Sequence, residues 1–355
     1  MSSTEARKQK SFSPAPLPSS PEAMSRERTV RVGVIGRGFG GRVVAPTFAK
    51  TEECEVVDVV SPRDDDAVTA LCTRRDVDLI SVDSPPFMHL DHVRRAIAGG
   101  HAVLCEKPLG RNATEAEEMC KLAADAGVLN FVTYEFRVHP VRTQLRALVL
   151  DGAIGAVEHV QWSSLAGIWR APRLFSWSFD ASLGGGWVRV LGSHNIDFIR
   201  WTFGEIVEAS AALRTTIKER PDADGNMHEC TAEDGFTATM RTDREATVVL
   251  DATATAAVDR PARVTVVGSD GVLEMFSENV HEIGGTIRLH TAEGTSELFH
   301  KPAWGESTAH DDGAIAPWLR LVRDAVRSGA LDPVMATFAD GVACARVMDQ
   351  LTAGR

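Results

Sequence analysis

Tyrosine is almost absent: Tyr134 is the only one in 355 residues. Dehydrogenases that use a Tyr-x-x-x-Lys pair need a lysine four positions on, where this chain has Val138, so that chemistry is excluded. Long apolar runs are missing too. Stretches such as 102–105 and 147–150 fall far short of the roughly 18 residues a membrane-spanning helix requires. The six cysteines contain no C-x-x-C pair, which excludes a zinc site built from such pairs. Nothing upstream resembles a secretion signal, so they are expected to be reduced thiols of a cytoplasmic protein. Positive charge is in deficit, with 38 Lys and Arg against 49 Asp and Glu. At a formal net charge of −11 and without a local basic cluster, nucleic acid is not an expected partner, nor is a membrane.

What is present is the composition of an ordinary globular chain of about two domains: 44% hydrophobic, 25% charged, 29 Gly and 16 Pro. Residues 1–29 stand apart. They hold seven Ser, four Pro and no aliphatic cluster, which predicts a disordered leader. Glu5, Glu22 and Glu27 argue against a transit peptide, and Met24 is an alternative start.

From 29 onward, strands at 29–35, 55–60, 77–83, 102–105 and 129–133 alternate with helical patterns at 43–50, 65–74, 90–98, 114–126 and 139–150. That rhythm predicts an α/β domain over 30–152 with a parallel sheet covered on both faces. After Asp151-Gly152 strand-like segments dominate, at 157–166, 207–216, 232–241, 246–255, 263–267 and 272–276. Turn chemistry at Asp224-Gly225-Asn226, Asp234-Gly235 and Asp270-Gly271 separates several of them, as in an antiparallel meander. Helices at 314–328 and 333–351 close an α+β domain over 153–355.

The run Gly36-Arg37-Gly38-Phe39-Gly40-Gly41 carries G-x-G-x-x-G directly after a predicted strand and at the start of a helix. In that context Gly36 permits the tight turn, Gly38 lets backbone approach a pyrophosphate, and Gly41 is expected to allow close helix–strand packing. The run is a candidate dinucleotide cradle. At the end of the second strand an acidic residue would hydrogen-bond a ribose 2′-hydroxyl. This chain has Ser61-Pro62-Arg63 there, and a hydroxyl followed by a guanidinium suits a 2′-phosphate. NADP(H) is therefore favoured and NAD(H) kept open, with Asp64, Asp65 and Asp66 next door counting against the phosphate.

Taken in order, the glycine loop, Ser84-Pro85-Pro86 with His89, Ala102–Cys105 followed by Glu106-Lys107-Pro108-Leu109, and Phe136-Arg137-Val138-His139-Pro140 resemble the glucose-fructose oxidoreductase / inositol dehydrogenase (Gfo/Idh/MocA) family. The resemblance runs from about Thr29 to the carboxyl end. It implies a Rossmann domain followed by an α+β domain with a large, mainly antiparallel open sheet that makes a homodimer or homotetramer. It also implies oxidation or reduction of one carbon of a sugar, polyol or related small molecule by a nicotinamide cofactor. Ser84, Pro85, Pro86, His89, Glu106, Lys107 and Arg137 then belong to the cofactor side. Lys107 is placed at the nicotinamide and the substrate oxygen, where an ammonium stabilises developing alkoxide.

Family members often read Asp-x-Gly-x-His in the second half. This chain keeps Gly192 and His194 but has Val190 in place of the aspartate. His194 becomes the expected acid/base, since imidazole titrates near neutrality. Asp197, three residues on, is its possible orienting partner, while Arg189 and Asn195 are possible substitutes for the lost polar contact. Five of the seven tryptophans fall between 162 and 201. Trp162 and Trp201 read as core, and Trp169, Trp177 and Trp187 as walls of a substrate pocket with Arg170 beside them. No metal site is expected. Two other readings stay open: a redox-assisted lyase or deglycosylase, and a non-catalytic dinucleotide sensor on the same scaffold.

Overall fold

The structure, a computed structural model, describes residues 29–277, 284–301 and 315–354. The leader at 1–28 lies outside the described residues.

Five parallel strands form the first sheet: β1 Val30–Ile35, β2 Cys54–Val60, β3 Leu79–Val82, β4 Ala102–Cys105 and β5 Asn130–Val132, in the order β2-β1-β3-β4-β5. The inner strands β3 and β4 are almost wholly buried, as expected when helices cover both faces of a parallel sheet. Those helices are α1 Ala45–Lys50, α2 Asp65–Thr73, α3 Pro86–Ala98, α4 Ala113–Ala126 and α5 Pro140–Leu150. Their ends are chemically marked. The Asp64 carboxylate accepts from Ala67 N at the start of α2, and Asn112 does the same for Glu115 N at the start of α4. Helix α3 begins four residues earlier than hydrophobic spacing predicts, because Pro86 fits the first helical turn. A wide helical turn over Gly40–Val44 leads into α1.

The second sheet has eight strands. They are β6 Val157–Leu165, β7 Ile206–Arg214, β10 Gly235–Thr242, β11 Thr247–Thr253, β12 Arg260–Gly268, β13 Val272–Ser277, β14 Gly285–Thr291 and β15 Gly294–Lys301, with β8 Glu219–Pro221 and β9 Met227–Glu229 as a separate hairpin. The order is β15-β14-β13-β12-β6-β11-β10-β7. The expected meander is corrected at one place: β11 pairs with β6 in parallel. The chain leaves β6 through helix α6 Ser193–Phe203, and such a crossover allows parallel return. Strands β14 and β15 escaped prediction because their burial alternates poorly. Along β10, by contrast, burial alternates nearly residue by residue, so one face packs on the core and the other faces out.

Helices α7 Ile315–Ser328 and α8 Phe338–Thr352 return to the first sheet. Val132 N donates to the Ala336 carbonyl, Phe338 N to Asn130, and Ala113 N to Asp349. The last helix starts at Phe338 rather than 333, because Thr337 and Asp340 form a reciprocal cap.

One buried ionic cluster ties these parts together. Arg137, on the turn after β5, makes two hydrogen bonds to Asp197 of α6 at 2.8 and 2.6 Å and one to Asp340 of α8 at 2.9 Å. Arg137 and Asp197 are both buried. Removing one partner of such a cluster strands a charge in a low-dielectric interior. Arg137→Met is therefore expected to cost about 3–5 kcal/mol in urea or thermal denaturation. Cofactor affinity of the folded fraction should not change.

Candidate active site

The carboxyl ends of β1, β3, β4 and β5 all open on one cavity of about 580 Å³, at the point where the strand order reverses between β1 and β3. In open α/β sheets this crevice is where ligands bind. Each strand hands over one piece. After β1, Gly36 turns the chain with φ +149°, and a Cβ there would stand 2.5 Å from the Asp83 carbonyl oxygen. A Cβ on Gly38 would meet no protein atom within 4 Å, so nothing in the protein fills the space over that backbone. This is the opening a pyrophosphate needs for close approach to main-chain N–H groups.

The packing role expected of Gly41 belongs to Gly40. A Cβ on Gly40 would lie 2.6 Å from Asp83 Cβ, whereas on Gly41 the nearest atom would be 3.4 Å away. Neither Gly40 nor Gly41 lines the cavity; Gly36, Arg37, Gly38 and Phe39 do. After β2, Ser61, Pro62 and Arg63 line the same cavity. Asp58 is mid-strand and accepts from Val59 N. Of the neighbouring acids, Asp64 caps α2 and Asp65 pairs with Arg95 at 2.6 Å.

After β3, Ser84, Pro85 and Pro86 reach the cavity, with the Ser84 hydroxyl held by His92 Nδ1 at 2.9 Å. His89 does not reach it. That ring is fully buried, 2.7 Å from the Ser84 carbonyl oxygen and 3.1 Å from that of Pro108, and so braces two cavity loops from behind. After β4, Glu106 and Lys107 line the cavity, and the Lys107–Pro108 peptide is cis. Lys107 Nζ donates to the Val190 carbonyl oxygen at 2.9 Å, joining the first domain to the turn Val188–Gly192 that precedes α6.

His194, one helical turn beyond Val190, also lines the cavity. Its ring stacks on Phe136 with centroids 4.1 Å apart and meets Tyr134 edge-on at 6.0 Å. Its Nδ1 lies 3.9 Å from Glu135 Oε2, within ion-pair distance. Glu135 and Asp83 are cavity residues that sequence reasoning missed, along with Phe136, Ile168, Ser178 and Leu191. A usable signal existed for Glu135, which sits just past the end of β5 as Lys107 sits just past β4. Ile168 and Ser178 lie in loops with no local signature.

The expected partners of His194 are placed elsewhere. Asp197 points to Arg137, Arg189 to Asp349 at 2.8 Å, and Asn195 accepts from Arg142 at 3.2 Å. Arg137 and Arg170 likewise turn away from the cavity, Arg170 to the Thr255 carbonyl at 2.9 Å. These side chains serve packing because helix α6 is buried almost all round. Trp169, Trp177 and Trp187 do line the cavity, with Trp169 edge-on to Trp187 at 4.9 Å. Trp162 is fully buried against Phe198, and Trp201 packs under Arg146.

Three carboxyls share this site with one ammonium. Burial raises Glu106 to about 7, partly offset by the charge of Lys107. Burial also raises Glu135 to about 8, reinforced by repulsion from Glu106 and offset by Lys107. Asp83 is pushed up by burial first and by Glu106 second. No cluster of metal ligands occurs among the described residues.

The chain matches the family model for the Gfo/Idh/MocA oxidoreductases with an NAD-binding Rossmann fold over residues 30–134, and that family's C-terminal domain over 143–274. It belongs to the Gfo/Idh/MocA family. An uncharacterized oxidoreductase of Synechocystis is 27% identical over 326 residues, spanning 86% of this chain and 88% of that protein. Inositol 2-dehydrogenase of Rhizobium meliloti is 24% identical over 279 residues, 75% of this chain and 80% of that one. Among solved structures, levoglucosan dehydrogenase in complex with NADH and L-sorbose superposes with a TM-score of 0.78, at 20% identity, over 92% of this chain and 96% of that chain. The chain is thus an NAD(P)-dependent oxidoreductase. No helix among the described residues is long and apolar enough to cross a membrane.

A raised carboxyl binds its proton in the folded state at pH values where the unfolded chain has released it. The stability this confers is complete below the ordinary carboxyl range and is lost as pH rises through about 7 to 8. Glu135→Gln should remove part of that loss. A pH series of melting temperatures should therefore show the wild type falling relative to the variant between about pH 4.5 and 8.

Proposed function

We propose that the protein is an NADP(H)-dependent oxidoreductase that moves a hydride between the nicotinamide and a secondary alcohol or carbonyl carbon of a small sugar-like ring. Bound nicotinamide supplies the hydride acceptor or donor, and the residues that would hold it are those of the strand-end cavity. The observation that carries the reading is Lys107 Nζ fixed at the Val190 carbonyl, one helical turn from His194, with both side chains lining that cavity.

In the oxidation direction the Lys107 ammonium hydrogen-bonds the substrate oxygen and stabilises the negative charge that develops there. His194 accepts the hydroxyl proton, and the Glu135 carboxyl beside Nδ1 favours the imidazolium that forms. In reduction the same groups return the proton. Phe136 and Tyr134 fix the plane of the ring, so the proton acceptor is held in place before substrate arrives.

Preference for NADP(H) is supported by Ser61, Arg63 and Arg37 around the cavity end remote from Lys107, and by the commitment of Asp64 to its helix cap. Arg63 and Arg37 are exposed and able to fork onto a phosphate. Arg63→Ala is expected to weaken NADPH binding roughly 10- to 100-fold while leaving NADH within about threefold, the size of one charged hydrogen bond. Fluorescence titration of both reduced cofactors measures this. Equal losses for the two would contradict the phosphate role.

Lys107→Ala separates the enzyme from a dinucleotide sensor. An enzyme loses roughly 10²–10⁴ in kcat, with NADPH affinity little changed. A sensor shows no turnover to lose.

A further inference from the structure

The proton-handling groups are gathered on one side of the cavity, and the opposite wall is hydrocarbon. Ile168, Trp169, Trp177, Trp187, Val190 and Leu191 form that wall, and Ser178 is the hydroxyl among them. The longer polar side chains nearby are all committed elsewhere. Arg189 is held by Asp349, Asn195 by Arg142, Asp197 by Arg137 and Arg170 by a backbone carbonyl, so none faces the cavity. Val190 offers its carbonyl to Lys107 and presents only methyl groups to the substrate space.

This arrangement sets a limit on what can bind. A ring hydroxylated at every carbon gives up water at each hydroxyl on entry and needs a protein partner for each. Beyond Lys107, Glu135, His194 and Ser178, the described walls supply none outside the nucleotide loops. A hydroxyl forced against hydrocarbon costs roughly 10- to 100-fold in affinity. Tryptophan faces, in contrast, gain from contact with C–H groups of a flat ring.

Resting on the reading of this cavity as the hydride-transfer site, we infer that the substrate is a sparsely hydroxylated alicyclic ring. It carries the reacting secondary alcohol or ketone and at most one neighbouring hydroxyl, and it turns a hydrocarbon face to Trp169, Trp177, Trp187 and Ile168. The reacting oxygen meets Lys107 and His194. The neighbouring hydroxyl meets Glu135 or Ser178.

The test uses the full chain saturated with NADPH and follows ligand binding through quenching of tryptophan fluorescence, with trans-cyclohexane-1,2-diol, myo-inositol and glucose as probes. The same probes are offered separately with NADP⁺ and read at the nicotinamide absorbance. The diol is expected to bind at least about tenfold tighter than either polyol. In the Val190→Asp variant, which puts an acceptor on the hydrocarbon wall, the ratio should move toward inositol by about tenfold, a gain that loss of folding cannot imitate. Polyol binding equal to or tighter than the diol overturns the inference, as does failure of the diol to bind. If the diol binds but no probe changes the nicotinamide absorbance, the hydride-transfer reading fails while the wall chemistry stands. If only polyols are turned over, the hydride-transfer reading stands and this inference falls.

Discussion

The site depends on a single hydrogen bond between domains, from Lys107 Nζ to the Val190 carbonyl. Lysine side chains carry several freely rotating bonds and ordinarily trail into solvent. Here the ammonium leaves the end of a buried parallel strand and is caught by the backbone of a turn that belongs to the other sheet. That contact sets where the positive charge sits relative to His194. It does so through main chain, so the identity of the side chain at 190 is released to shape the substrate wall.

The charge balance around this lysine explains much of the remaining geometry. Asp83, Glu106 and Glu135 come from the ends of three adjacent strand loops, and burial makes ionising all of them unfavourable. Held this way, two of the carboxyls titrate near neutrality, where proton exchange with a substrate alcohol is useful. A second ionic cluster, Arg137 with Asp197 and Asp340, sits behind the first. It anchors the turn that carries Glu135 and Phe136 to the helix that carries His194, keeping imidazole, carboxyl and aromatic ring in register.

Much of this was legible in the residues. Parallel strands buried on both faces leave short valine-rich runs, and a glycine loop after the first of them marks the phosphate cradle. Lys107 was legible because Glu-Lys-Pro follows a strand end. The loop tryptophans were legible because aromatic side chains outside regular structure lie in few places other than pocket walls. What failed was side-chain direction. Arg137, Arg189, Asn195 and Asp197 stand close to the site in sequence, yet α6 is buried on nearly every face, so its polar side chains satisfy one another inside the protein. Gly40 and Gly41 exchanged roles because the distance to Asp83, a residue from another strand, decides which of them lacks room for a side chain. Glu135 went unnoticed because its significance comes from His194, 59 positions away, and tertiary proximity of that kind leaves no local pattern.

The most direct measurement is a crystal structure of the full chain with NADPH and a bound cyclic alcohol. The account predicts the alcohol oxygen within hydrogen-bond reach of Lys107 Nζ, about 2.6–3.2 Å, with the nicotinamide over the ends of β1 and β4 and Nζ still held by the Val190 carbonyl. An ammonium turned out to solvent, or a nicotinamide seated away from those strand ends, would contradict it.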